Sequence, residues 1–148
     1  MRALLCTQYG PPDLLELREV PSREPGDGEV VVSVKAASLN FPDVLIIQNK
    51  YQFKPPLPFS PGSELAGVVK AVGAGVSGFE PGDRVMAFTT YGAFAEEVTT
   101  EPGRLLPMPA GMDFATLDYS DEAPVLYVGE SMEYDALQLR NVRRFERW

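Results

Sequence analysis

Short β-branched and apolar runs alternate with turn signals over residues 1–116, a pattern that predicts strands in an all-β barrel or sandwich. Residues 30–34 give the clearest strand. Leu15, Leu17, Arg18 and Val20 mark a second, residues 65–72 a long third, and residues 84–88 and 93–98 two more. Two Glu-Pro-Gly-Asp turns, at 24–27 and 80–83, set a proline of fixed φ before a glycine free to take positive φ, and so punctuate the sheet. One short helix interrupts the strands. Pro42 suits only a first turn, Asn40 and Asp43 suit a helix start, and residues 44–47 supply an apolar face. The stretch 54–61 holds four of the 14 prolines, a density that removes ladder donors and predicts a rigid irregular loop.

Beyond Thr116 the character changes. Thirteen prolines precede that point and only Pro124 follows it, and residues 118–122 are acidic. The run PVLYV at 124–128 reads as a buried strand ended by Gly129. Ser131 then suits a helix cap, and Met132, Ala136, Leu139, Val142, Phe145 and Trp148 recur every three or four residues along one helical face. Glu130, Glu133 and Asp135 at its start and Arg140, Arg143, Arg144 and Arg147 at its end complement a helix dipole. A strand over 137–142 is the competing reading. The chain is thus expected to divide into a β domain at 1–116 and a strand-helix tail at 117–148, packed on the barrel or on a second copy in a homo-oligomer.

Composition narrows the chemistry. A chain of 148 residues with 45% hydrophobic content suits one domain, and no apolar run approaches a membrane span. The opening residues lack the features of a signal peptide and Cys6 has no partner for an internal disulfide, so the cytoplasm is expected. A formal charge of -8 argues against nucleic-acid and anionic-membrane partners, and the terminal arginines read as a solvated helix face. Histidine is absent, which excludes Ser-His-Asp and Cys-His catalysis. It also leaves a zinc site to be built from carboxylates and carbonyls, so no metal is expected.

Gly73, Gly75 and Gly78 spell G-x-G-x-x-G directly after a predicted strand. A dinucleotide fingerprint needs a helix to open at those glycines and aim its N–H groups at a pyrophosphate. Here Pro81, Gly82 and Asp83 arrive before a helix could complete two turns, so the run reads as a hairpin between strands.

Several linked motifs carry a family resemblance: PGSELAGVVKAVGAGVSGFEPGDRV at 61–85, the opening MRALLCTQY, EVVVSVKAASLNFPD at 29–43, and 84–98 with Gly92, Ala93, Phe94, Ala95 and Glu96. In order and spacing the chain resembles the medium-chain dehydrogenase/reductase superfamily, zinc-free quinone oxidoreductase branch. That resemblance implies a GroES-like, partly open β-barrel with a short helix, and hydride transfer from NADPH to quinones or activated carbonyls, with enoyl reduction as the nearest variant. Where zinc-dependent members read Gly-His-Glu, this chain reads Gly62, Ser63, Glu64. Asn40 and Asp43 match the family's Leu-Asn-x-x-Asp motif, and Tyr51 falls at its Gly-x-Tyr position with Asn49 in place of the glycine. By resemblance these three flank the cleft, the Asn40 amide and Tyr51 hydroxyl donating to a substrate carbonyl or to the nicotinamide carboxamide. Read from the residues alone, Asn40 is a helix cap, Asp43 a first-turn carboxylate, Tyr51 a loop anchor and Glu64 a partner for backbone near the 61–62 turn. The family continues into a Rossmann domain, whereas the pattern here is left after Thr116. The expectation is a truncated or chimeric relative that holds no NADPH and is inactive alone. A non-catalytic interaction or structural module built on the barrel is the alternative.

Overall fold

Strand β3, Val30–Ser38, organises the domain, and its consecutive valines explain why: β-branched side chains are stiff, and both faces of this strand are covered. In the computed structural model, which describes residues 1–114 and 125–127, β3 pairs along one edge with β4, Glu64–Val72, from Val30↔Val72 to Ala37↔Leu65. Its other edge is shared. Residues Val30 to Ser33 pair with β6, Glu97–Thr100, and Ala36 to Ser38 pair with β8, Val125–Tyr127. Strand β5, Arg84–Phe88, joins the far side of β4, and β7, Leu105–Pro107, joins β5, all antiparallel. A separate hairpin of β1, Arg2–Leu5, and β2, Glu16–Glu19, is tied in by the bridges Ala3↔Ala95 and Cys6↔Phe59.

An irregularity between Val34 and Ala36 reverses the inward parity of β3. Val30, Val32 and Val34 enter the main core before it, and Ala37 and Leu39 after it. Ser38 is thereby turned to the opposite face. The core they build, with Leu4, Leu65, Val69, Val85 and Phe94, is continuous, and a satellite of Cys6, Ile46, Ile47 and Phe59 lies under helix α1, Phe41–Ile47.

The predicted strands at 30–34, 65–72 and 84–88 are found, as are the short helix and the irregular proline loop. The strand expected at 93–98 begins later, at Glu97. Ala93 to Ala95 instead weave between layers: Phe94 N–H donates to the Pro61 carbonyl at 3.0 Å, while its own carbonyl accepts from Leu4 N–H at 2.9 Å. Strand β7 escapes sequence reading because three residues between Pro102 and Pro109 are too short to show a period. The tail strand at 124–128 is present as β8, and the predicted tail helix lies outside the described residues.

Gly73 to Gly78 form a turn between β4 and β5 and open no helix. Gly73 is required there by contact, since a Cβ would fall 1.8 Å from the Gly26 carbonyl oxygen. The two glycine turns are stitched together by Gly73 N–H to Glu29 O and Gly28 N–H to Ala74 O, each at 2.8 Å.

Candidate functional site

Helix α1 is short, so its ends decide its position. At the N terminus Asn40 is the cap, extended at φ -115 and ψ 156, and Pro42 occupies the first turn, where its missing N–H costs nothing. Asp43 reaches back in capping-box fashion, its Oδ2 accepting the Asn40 N–H at 2.8 Å. At the C terminus Asn49 N–H donates to Ile46 O and Lys50 N–H to Leu45 O, a Schellman closure with Asn49 in the left-handed region at φ 58. The position where the family resemblance expects glycine is therefore one that needs positive φ, and asparagine is a side chain that tolerates it.

Three polar side chains meet beside the N terminus of α1. Asn40 Nδ2 donates to Ser38 Oγ at 3.3 Å, and Ser38 Oγ donates to Glu64 Oε2 at 2.7 Å. Ser38 is 1% exposed. Asp43, 7% exposed, lies close enough to Glu64 for the two carboxylates to repel. Burial is the largest influence on Asp43 and lifts its pKa to about 6; backbone N–H groups of Asn40 and Gly62 pull the other way, and Glu64 pushes it further up. Apolar groups border the cluster. Phe88 stands opposite Glu64 across the β4–β5 ladder and is 48% exposed, and Phe41, next to Asn40, is 51% exposed.

Asn40 and Asp43 are thus brought together, whereas Tyr51 lies beyond the far end of α1, a helix about 10 Å long at 1.5 Å per residue. Its ring packs on the satellite core, and no hydrogen bond joins it to Asn40 or Asp43 among the described residues. Ser38 was missed by sequence reasoning. A serine inside a valine-rich strand carries no signal by itself; only its place two residues before the helix cap, just after the parity reversal, gives it a role. A separate groove of about 770 Å³ lies between the β1–β2 hairpin, the proline loop and β6, lined by Ala3, Phe59, Tyr91 and Val98 among others, and it does not include Asn40, Asp43 or Glu64.

The side chains here do not suit zinc. The chain has no histidine, and the position after Gly62 is a serine. Cys6 is buried away from this cluster with its thiol pKa pushed up by that burial, and among the described residues no three His, Cys, Asp or Glu side chains converge. Nor do the described residues form a pyrophosphate cradle, because the glycine-rich run opens a hairpin.

A mainly β domain with one short helix, whose capped N terminus meets a serine-glutamate pair, defines a class. The chain belongs to the alcohol dehydrogenase GroES-like domain family, which matches residues 26–110, within the medium-chain dehydrogenase/reductase superfamily. It is similar to the rat synaptic vesicle membrane protein VAT-1 homolog, 40% identical over 139 residues that make up 93% of this chain and 33% of that protein. A match of that length in 148 residues necessarily runs past Thr116. The crystal structure of the human VAT-1 homolog-like protein superposes with a TM-score of 0.76 at 40% identity, covering 79% of this chain and 38% of that one. The Escherichia coli quinone oxidoreductase, solved in complex with NADPH, superposes with a TM-score of 0.74 at 30% identity, covering 79% and 36%. The chain spans about a third of the length of the curated relatives it matches.

Proposed function

We propose that residues 1–116 are the substrate-side domain of an NADPH-dependent, zinc-free reductase acting on quinones or related activated carbonyls. The observation that carries this reading is the site itself: a capped helix start with Asn40, Ser38, Asp43 and Glu64, in the family whose zinc-dependent members place a histidine where Ser63 stands. When bound, the dinucleotide supplies the hydride. This chain's residues bind and orient the acceptor: Asn40 offers an N–H to a carbonyl oxygen, and Phe41 and Phe88 offer apolar walls beside it. Tyr51 belongs to the support of α1, its ring packed against the satellite core.

Because the described residues hold no dinucleotide cradle, we expect the 148-residue chain alone neither to bind NADPH with useful affinity nor to reduce quinones. Fluorescence titration with NADPH and an NADPH oxidation assay with a quinone test this on the chain alone. A second assay adds a separately produced dinucleotide-binding half of a quinone oxidoreductase. Turnover restored by the added half, and lost with Asn40→Ala, supports the reading. A defined homo-oligomer with no turnover under either condition favours a non-catalytic module. Saturable micromolar binding by the chain alone refutes the division of labour.

A further inference from the structure

The hydrogen-bond polarity at Asn40 is fixed by its neighbours. Ser38 has one hydroxyl proton and sits in an almost fully buried position, where an unmade hydrogen bond is costly. A carboxylate only accepts, so that proton goes to Glu64 Oε2, 2.7 Å away. Ser38 Oγ can then face Asn40 only as an acceptor, which demands the Nδ2 side of the amide, at 3.3 Å. The Asp43 N–H at the start of α1 donates to the main-chain carbonyl of Asn40 at 3.0 Å, so the polarity of the side-chain amide is set by Ser38. One Nδ2–H is left over.

We propose that Ser38 and Glu64 are positioning residues that lock the Asn40 amide in one orientation, so that the site presents a single N–H donor and takes a neutral carbonyl oxygen. This rests on the functional reading above in so far as Asn40 faces a ligand. The charge around it sets the second half of the preference. Asp43 and Glu64 flank the donor as two carboxylates, so an anionic acceptor such as a carboxylate is repelled where a ketone or quinone oxygen is not. Phe41 and Phe88 match a ring attached to that carbonyl.

The test uses the 148-residue chain labelled with ¹⁵N. Without any ligand, the Asn40 side-chain amide is expected to show a nuclear Overhauser contact to a slowly exchanging Ser38 hydroxyl proton. Ser38→Ala should abolish that contact and shift the amide, and Ser38→Thr should restore both. With acetophenone and benzoate as probes, the ketone should perturb Asn40 and bind about tenfold more tightly, the size of one oriented hydrogen bond. Glu64→Gln keeps an acceptor for Ser38, so it should retain ketone binding while relieving the exclusion of benzoate. Glu64→Leu frees the Ser38 hydroxyl to donate to Asn40, flips the amide, and should lose the ketone by about the same factor. An Asn40 amide with no contact to Ser38, or unaltered by Ser38→Ala, overturns the locking. An Asn40 amide untouched by acetophenone, or responding to benzoate as strongly, overturns the preference. Because the first readout needs neither cofactor nor turnover, a failure of the reductase assay sinks the functional reading and leaves the locked amide standing.

Discussion

Asp43 shows how a single side chain can serve a fold and tax it at once. Its carboxylate holds the Asn40 N–H, yet burial raises its pKa to about 6, above the value near 3.9 of an unfolded chain. For an acid the raised value means that the folded state prefers the proton. The contribution is therefore fully present below about pH 3.9 and lost as the pH rises through about 6. Between pH 7.5 and pH 5 this one group should stabilise the parent by about 1 to 1.5 kcal/mol relative to Asp43→Asn, which accepts the same backbone N–H but does not titrate. Urea unfolding of both proteins at the two pH values measures it. Parallel changes in parent and variant would remove Asp43 from the account. Glu96 illustrates the opposite sign: the Arg2 backbone N–H above all, then its guanidinium, holds the carboxyl below the usual range, so its contribution is lost as the pH falls.

At the scale of elements, the ends of α1 and the glycine turn were legible because each rests on local chemistry. Pro42 and Asp43 mark a helix start whatever packs above them, and Pro81 to Asp83 rule out a helix at the glycines without reference to any contact. The late start of β6 was not legible: Phe94 is placed by hydrogen bonds to Leu4 and Pro61, residues 90 and 33 positions away in the chain, and no local pattern encodes them. The same distinction separates the glycines. Gly73→Ala should cost more than about 3 kcal/mol or prevent folding, because its Cβ would collide with the Gly26 backbone and part the two turns. Gly75→Ala meets nothing within 4 Å and pays only for its positive φ, about 1 to 2 kcal/mol. Thermal melts of the pair decide between contact and conformation, and equal losses would refute the close-approach argument. At the C terminus of α1, Asn49→Gly should melt within a few degrees of the parent, while Asn49→Val should lose about 1 to 2 kcal/mol at the left-handed position.

For the whole molecule the decisive fact is how the second edge of β3 is divided. Strand β6 covers its first half and β8 its last three residues, so the chain beyond Thr116 contributes directly to the main sheet. The composition shift at that point marked a change of character and said nothing about docking; the apolar run at 124–128, ended by Gly129, was the hint of a strand. Truncation after Phe114 should open the backbone of Ala36 to Ser38, and an open apolar edge seeks another strand. Size-exclusion chromatography coupled to light scattering should show concentration-dependent self-association of the truncated chain. If it keeps the parent's mass and melting temperature, β8 is dispensable.

Ser38 is also the residue through which two distant parts of the chain are wired together. Its main chain lies opposite Val125 in the β8 ladder, while its hydroxyl carries the link between Asn40 and Glu64. Undocking the C-terminal strand would therefore loosen the one backbone segment that aims the donor. A cleavage or a binding event far along the sequence would be felt as a loss of aim at the helix cap, with none of the ligand-contacting groups removed.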